Sequence, residues 1–136
     1  MTSYLLDTNH ASPLVTPGHP LRDRVLDELE AGNDFLIAVP ALTELWFGLL
    51  VSQRMLRNLA EWQLLERKID CLDLEEMDAK TAAALQKLLR KIGRDLKTPD
   101  ALIAAVALRY DFVLLTTDHD FTPIPGIKIE NWLLPK

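Results

Sequence analysis

A short apolar run at residues 3–6 ends abruptly in Asp7, Thr8 and Asn9. Such a run is typical of a buried β-strand that delivers an acid at its C-terminal tip. Ligands of open α/β sheets bind in the crevice beyond the carboxyl ends of the strands, so an acid at this point is placed for chemistry. Asp7 could equally cap the helix that follows, because Asp, Thr and Asn all serve as N-caps. Both interpretations of Asp7 are open at this point.

Four later stretches also have the composition of β-strands, and helical patterns separate them. The strands are predicted at residues 35–39, 70–74, 112–115 and 127–130. The helices are predicted at residues 21–31, over long parts of 42–69, at about 75–92 and at 99–108. This alternation predicts an α/β fold, with a mostly parallel central sheet of about four to five strands flanked by helices. The last strand is expected at an edge of the sheet, because its exposure alternates.

The length and composition indicate one domain with a substantial core. The chain has 136 residues, of which 49% are hydrophobic, and we expect a single domain over residues 1–136. No apolar run reaches the ~18 residues that cross a bilayer, and no signal-peptide pattern precedes the first strand. We therefore expect a cytoplasmic protein that does not bind membranes. The one cysteine, Cys71, cannot form an internal disulfide and is expected to be a small core residue.

The net charge of −5 limits how this chain could bind nucleic acid. Proteins that bind nucleic acid through bulk electrostatics usually carry a basic face, so any contact here must rest on a local basic patch. One such basic cluster lies around the end of the helix predicted at 75–92 and consists of Arg90, Lys91, Arg94 and Lys97. These side chains could contact phosphates, or they could simply complement the dipole at the helix C-terminus.

The helical region from residue 42 to 69 carries more apolar side chains than one small helical pair needs to cover a sheet. They are Leu45, Trp46, Leu49, Leu50, Met55, Leu56, Leu59, Trp62 and Leu65. All of them could belong to the core. A surface for a partner protein or for a second copy of the chain is the other interpretation.

Acids recur at equivalent places in the predicted topology. Asp7 and Asp118 follow strand ends, whereas Glu44 and Asp100 lie at helix starts, the latter two residues after Thr98, the predicted N-cap. If the two strands are neighbours, the four carboxylates converge on one crevice. There they would repel each other by up to about 4 kcal/mol per pair at ~4 Å and an effective dielectric near ~20. This repulsion favours a bound cation, and ligands that are all oxygen favour Mg²⁺ or Mn²⁺.

Four segments, in this order, resemble the motifs of a PIN domain of the VapC type, a family of bacterial toxins. They are Leu5-Leu6-Asp7-Thr8-Asn9, Glu44 after Pro40, Asp100-Ala101-Leu102-Ile103-Ala104-Ala105, and Thr116-Thr117-Asp118-His119-Asp120-Phe121. The resemblance covers essentially the whole chain. The proline-rich loop at residues 16–20 departs from the family pattern at the expected rim of the substrate site.

The resemblance implies a metal-dependent endoribonuclease, the toxin of a type II toxin–antitoxin pair that a cognate antitoxin inhibits. The residues that it assigns to catalysis and to Mg²⁺ or Mn²⁺ are Asp7, Glu44, Asp100 and Asp118. Thr8 or Asn9 would support Asp7, and Asp120 would order its loop rather than bind metal. The basic cluster would contact RNA phosphates beside the acids. Together with the apolar region, the resemblance also predicts a homodimer bound by an antitoxin segment.

Two other classes of protein compete with a nuclease. A phosphoacceptor receiver domain also gathers acids at strand ends, but it needs a further acid after its middle strand and a lysine after a late strand. Neither stands at the required place in this sequence. A metal-free protein-binding module would use only the apolar region, and it would leave the four convergent acids unexplained.

Overall fold

Within residues 1–134, which the computed structural model describes, five parallel strands form one sheet. The strands are β1 (Ser3–Leu6), β2 (Asp34–Ala38), β3 (Ile69–Leu72), β4 (Val113–Leu115) and β5 (Lys128–Glu130). Their order across the sheet is β3-β2-β1-β4-β5, so β3 and β5 are the edges. The predicted α/β fold with a parallel central sheet is confirmed. Residues 135 and 136, included in the predicted domain, lie outside the described residues.

The connections between the strands are helical. The helices are α1 (Thr8–Ala11), α2 (Pro20–Glu30), α3 (Val39–Val51), α4 (Met55–Leu65), α5 (Glu76–Arg90) and α6 (Thr98–Tyr110). A 3₁₀ turn at Ser12–Val15, which the sequence pattern did not predict, extends α1. The long helical region is broken between α3 and α4, where Ser52 leaves the helical conformation with φ −68° and ψ 142°. No helix in the described part of the chain is long and apolar enough to cross a membrane.

The strand order places the two acid-bearing strand ends side by side. The chain builds β1, β2 and β3 outward in one direction, then returns to add β4 on the other side of β1. Leu6 pairs with Leu115, and the backbone N–H of Asp7 donates to the Leu115 carbonyl at 3.0 Å. In doubly wound sheets, the crevice at such a change of direction is where ligands bind.

The centre of the sheet is buried from both faces, which explains its short, continuous apolar strands. Leu5, Leu6, Leu114 and Leu115 are each 0% exposed. Burial of each such side chain contributes roughly 1.5–3 kcal/mol. The helix α6 is also apolar on most sides, and its alanine-rich middle allows close approach to its neighbours. These contacts fix the position of the acidic start of α6.

The pair of helices α5 and α6 is held at both ends. Arg109 of α6 contacts Asp78 of α5 through two N···O contacts of 3.0 and 2.9 Å, and Asp78 is 1% exposed. At the other end, Gln86 donates to the Leu96 carbonyl at 3.0 Å and to the Thr98 hydroxyl at 3.1 Å. The prediction that Thr98 is the N-cap of α6 is wrong. Lys97 occupies that position, and Thr98 is the first helical residue. The Thr98 hydroxyl instead ties the start of α6 to α5.

The structure ends α5 at Arg90, two residues before the predicted end at Ile92, and the turn that follows closes at Gly93. This residue has φ +76°, a conformation that favours glycine, and the N–H of Arg94 donates to the Leu89 carbonyl at 2.9 Å.

The prediction that Cys71 is a core residue is wrong, because its side chain is exposed. The reason is its place on β3, which is an edge strand of the sheet that residues 1–134 form.

The apolar region is only partly core. Leu45, Leu49, Trp62 and Leu65 are buried. The exposed apolar side chains of α3 and α4, which we call the α3–α4 apolar surface, are Val39, Trp46, Phe47, Leu50, Val51, Leu56 and Leu64. The interpretation that the whole region is core is therefore wrong. Four of the exposed side chains, Val39, Trp46, Phe47 and Leu50, line one groove, and exposed apolar clusters of this kind mark interaction surfaces.

Candidate active site

The four predicted acids line one cavity at the carboxyl edge of the sheet, beside β1 and β4. We call this cavity of about 440 Å³ the acidic cavity, and its walls are Asp7, Thr8, Asn9, Glu44, Lys97, Pro99, Asp100 and Asp118. The residues come from a strand end, the start of α1, the second turn of α3, the start of α6 and the loop after β4. Only the fold brings these five segments together.

Asp7 is 5% exposed at the tip of β1, and three donors hold its carboxylate. Its Oδ1 accepts the backbone N–H of Thr8 at 2.8 Å. Its Oδ2 accepts the Thr116 hydroxyl at 2.7 Å and the Asn9 amide Nδ2 at 3.2 Å. Asp7 is also the N-cap of α1. The two interpretations of this residue are therefore compatible: it caps a helix and faces the cavity.

Burial raises the pKa of Asp7, because removal from water disfavours the ionised form. The hydrogen bonds from Thr116 and Thr8 lower the pKa and offset part of this effect. The charges of Glu44 and Asp118 raise the pKa further. The carboxylate is thus held in place by the protein while its neighbours oppose its charge.

Asp100 is the third residue of α6, and the charges of four other acids act on its carboxylate. Its pKa is raised to about 6, first by burial and then by the charges of Asp7, Asp118, Glu44 and Asp120. The carboxylates therefore interact even without direct contact. A divalent cation would remove this repulsion.

Glu44 and Asp118 complete the acidic wall. Glu44 lies just after the first turn of α3 and accepts the Thr8 hydroxyl at 3.0 Å. Asp118 accepts the backbone N–H of Asp120 at 2.8 Å and so caps the 3₁₀ turn His119–Phe121. The Asp120 side chain is exposed and is not among the cavity walls.

Thr116 was not singled out from the sequence, yet it is central to the site. It is 2% exposed and lies beside Asp7, because it follows Leu115 as Asp7 follows Leu6. Its hydroxyl donates to Asp7 and accepts the Asp118 backbone N–H at 3.0 Å. A hydroxyl directly after a buried strand is the signal that could have identified it.

The basic cluster is divided between two cavities. Lys97 lines the acidic cavity, next to Asp100. Arg90 and Arg94 line a separate cavity of about 410 Å³, together with Lys87. Lys91 is exposed and lines neither of these two cavities.

A cation fits the chemistry of the acidic cavity. The oxygen ligands that the cavity offers are the carboxylates of Asp7, Glu44, Asp100 and Asp118, the type of ligand that Mg²⁺ and Mn²⁺ prefer. Within residues 1–134, no three acidic, histidine or cysteine side chains are close enough to form a complete metal site as they stand. A bound ion would therefore have to draw the carboxylates inward.

The protein is thus of the α/β class, with a parallel sheet and a group of carboxylates where the strand order reverses, beside β1 and β4. The sequence model of the PIN domain matches residues 4–126. The chain belongs to the PIN domain family. This membership removes the receiver-domain interpretation.

Two relatives are similar to this chain over most of its length. The chain is 28% identical over 133 residues to the tRNA(fMet)-specific endonuclease VapC of Shigella flexneri, a match that covers 97% of this chain and 99% of the relative. It is 28% identical over 102 residues to Ribonuclease VapC4 of Mycobacterium tuberculosis, covering 73% of this chain and 78% of the relative.

Solved structures have the same fold over nearly the whole chain. DNA-bound VapBC from Salmonella typhimurium is similar with a TM-score of 0.81 and 28% identity, covering 97% of this chain and 99% of that chain. VapBC2 from Rickettsia felis, bound to a DNA fragment from its promoter, is similar with a TM-score of 0.84 and 23% identity, covering 96% and 99%.

Proposed function

We propose that this protein is a metal-dependent endoribonuclease and the toxin of a type II toxin–antitoxin pair. The observation that carries the proposal is the convergence of Asp7, Glu44, Asp100 and Asp118 on one cavity in a PIN domain. The names of the two relatives, a ribonuclease and a tRNA-specific endonuclease, support the choice of RNA as substrate. The nuclease domain spans residues 1–136, and its place of action is the cytoplasm.

Asp7, Glu44 and Asp100 would hold the principal Mg²⁺ or Mn²⁺, and Asp118 would join them or hold a second ion that binds with the substrate. When bound, such an ion supplies water activation and charge neutralisation for phosphodiester hydrolysis. The protein supplies orientation. Thr8 contributes its N–H to Asp7 and its hydroxyl to Glu44, at 2.8 and 3.0 Å, so one residue aligns two carboxylates.

The basic side chains would receive the RNA backbone on two sides of the loop between α5 and α6. Lys97, which lines the acidic cavity, would neutralise the phosphate at the cleavage point. Arg90 and Arg94 would contact a phosphate farther along the strand, in their own cavity. Lys91 is left with a general electrostatic role.

The α3–α4 apolar surface is the proposed contact with partner proteins. It borders a groove of about 550 Å³ lined by Val39, Leu42, Thr43, Trp46, Phe47, Leu50, Trp62 and Glu66. An amphipathic segment of the antitoxin fits a groove of this composition. A basic side chain of that segment that reached the four acids would add direct inhibition. The remaining exposed apolar side chains would pair two copies of the chain in a homodimer.

The nuclease proposal is tested with the purified chain and total cellular RNA. We expect cleavage with Mg²⁺ or Mn²⁺ and loss of cleavage with excess chelator, and mapping of new 5′ ends would identify the sites cut. RNA that stays intact in both metals, with the protein folded, would contradict the proposal and favour the metal-free binding module.

The toxin role is tested by growth. We expect expression of this chain alone to slow growth, and co-expression of a small gene beside its own to restore it. The variant Phe47→Asp, which places a charge on a side chain that is 66% exposed in the proposed groove, should keep RNA cleavage but no longer respond to the neighbouring gene. Normal growth with intact wild-type protein would remove the toxin role and leave the nuclease proposal standing.

A further inference from the structure

His10 is buried close to the acidic cavity, and nothing in the proposed chemistry uses it. It is 0% exposed and lies three residues after Asp7. Both ring nitrogens are hydrogen-bonded: Nδ1 lies 2.7 Å from the Asn9 Oδ1, and Nε2 lies 3.0 Å from the backbone nitrogen of Trp132. The ring therefore joins the C-terminal turn to a residue of the cavity wall.

The contact with Trp132 determines which ring nitrogen of His10 carries the proton. A backbone N–H can only donate, so Nε2 must accept and is unprotonated. Burial lowers the pKa of His10 to about 4, which keeps the ring neutral near pH 7. The single proton is then on Nδ1, and Nδ1–H donates to the Asn9 Oδ1.

The orientation of the Asn9 amide also follows from the hydrogen-bond donors around it. Its Oδ1 also accepts the backbone N–H of Thr117 at 3.2 Å, so two donors hold the oxygen away from Asp7. Its Nδ2 consequently faces the Asp7 Oδ2 at 3.2 Å and the Thr116 hydroxyl at 3.3 Å. The opposite orientation would set the amide oxygen against a carboxylate.

Trp132 is itself firmly placed. Its ring packs edge-on against Tyr4 of β1 and Phe35 of β2, with centroid distances of 4.8 and 5.7 Å. The Arg24 guanidinium of α2 lies 3.7 Å from the centre of the ring. The donor to His10 is thus fixed to the sheet and to α2, and the chain of contacts from Trp132 through His10 and Asn9 ends at Asp7.

We propose that His10 is a positioning residue that holds the Asn9 amide against Asp7 and thereby increases the affinity of the acidic cavity for a divalent cation. The inference rests on the proposed function for its metal and its reaction. Groups that support a metal ligand from behind typically change metal affinity or activity by roughly 10- to 100-fold. Because His10 acts through Asn9, we expect an effect of about tenfold, at the low end of that range.

The test compares two amide substitutions. His10→Asn places its amide nitrogen near the former Nδ1 and keeps a donor to Asn9, whereas His10→Gln places its amide oxygen near the former Nε2 and keeps only the contact with Trp132. The measurements are Mn²⁺ binding without RNA, kcat and KM for RNA cleavage, and the melting temperature in chelator. Val25→Ala is the control for lost packing, because Val25 is a buried side chain of α2 outside this chain of contacts.

We expect both His10 variants and Val25→Ala to melt below wild type, and Val25→Ala to bind Mn²⁺ like wild type. His10→Gln should bind Mn²⁺ about tenfold more weakly and lose a similar factor in kcat with little change in KM, while His10→Asn should stay within about twofold of wild type in both. Equal Mn²⁺ affinity in His10→Gln and wild type, or equal losses in the two His10 variants, would overturn the proposal. If wild type binds Mn²⁺ but cuts no RNA, the nuclease function fails, and the Mn²⁺ affinities still decide the role of His10.

Discussion

Asp7→Asn is expected to lower RNA cleavage by roughly a hundredfold or more, a loss of at least about 2.7 kcal/mol of transition-state stabilisation. The change is nearly isosteric but removes a charge from the proposed metal ligands. The Thr8 N–H can still donate to the remaining oxygen. The Thr116 hydroxyl can rotate to accept the new amide N–H, so the losses are the contact with Asn9 and the hydrogen bond that the hydroxyl donated. The fold should therefore survive.

The matched control is Asp111→Asn. Asp111 is exposed at the end of α6, before β4, and has φ +56°, a conformation that asparagine tolerates. We expect this variant to cleave RNA like wild type and to slow growth equally, whereas Asp7→Asn should do neither. The rates are measured under single-turnover conditions with saturating Mg²⁺ or Mn²⁺. Undiminished cleavage by Asp7→Asn would sink the assignment of the site.

Asp100→Asn is expected to melt several degrees above wild type in chelator at pH 7.5, and below wild type in saturating Mg²⁺ or Mn²⁺. The folded protein raises the pKa of Asp100 to about 6, from an unfolded value of about 3.9. A raised pKa means that the folded state binds the proton more tightly. The resulting stabilisation is complete below about pH 3.9 and is lost as pH rises through about 6. Without metal, neutral pH therefore carries a penalty that the asparagine removes.

The size of this effect follows from the position of Asp100, which is only partly buried, so solvent screening reduces the penalty to about 1 to 2 kcal/mol. A change of that size moves the melting temperature of a domain of this length by several degrees. Metal should reverse the order of the two melting temperatures, because wild type keeps the full set of proposed metal ligands. A ligand that binds only the folded state stabilises it by about 2.7 kcal/mol at a hundredfold excess over Kd.

Thermal melts of wild type, Asp100→Asn and Asp111→Asn provide the measurement, in chelator at pH 4.5 and 7.5 and across a metal titration at pH 7.5. The difference between wild type and Asp100→Asn should shrink at the lower pH, where Asp100 is mostly protonated. A wild type that melts highest in chelator, with no shift on adding metal, would mean that these acids do not share a site.

Local patterns predicted the elements of the fold well because each depends on a few neighbouring residues. A continuous apolar run such as residues 112–115 identifies a buried strand, and Pro40 and Gly93 mark a helix start and a helix end. Predictions that depend on tertiary neighbours did less well. Cys71 was expected in the core because its own sequence context is apolar, but its exposure depends on the position of β3 at an edge of the sheet.

The same distinction, between local signals and distant partners, separates the site residues that were predicted from those that were not. The acids were recognisable because strand ends and helix starts have local signatures. Thr116 and His10 were not singled out, because their importance lies in partners far away in sequence: Asp7 is 109 residues from Thr116, and Trp132 is 122 residues from His10. No local pattern specifies which hydroxyl or imidazole will meet which carboxylate or backbone N–H.

By itself, the sequence determined the alternation of strands and helices and the placing of an acid after β1, after β4 and near the starts of α3 and α6. Only the tertiary structure decided that β4 lies against β1 rather than beyond β3, and so brought Asp7 and Asp118 to one cavity. It also decided which part of the α3–α4 region remains exposed. The physical reason is that hydrogen-bond capping and strand propensity act between neighbours along the chain, whereas strand order and burial result from the packing of all helices against the whole sheet.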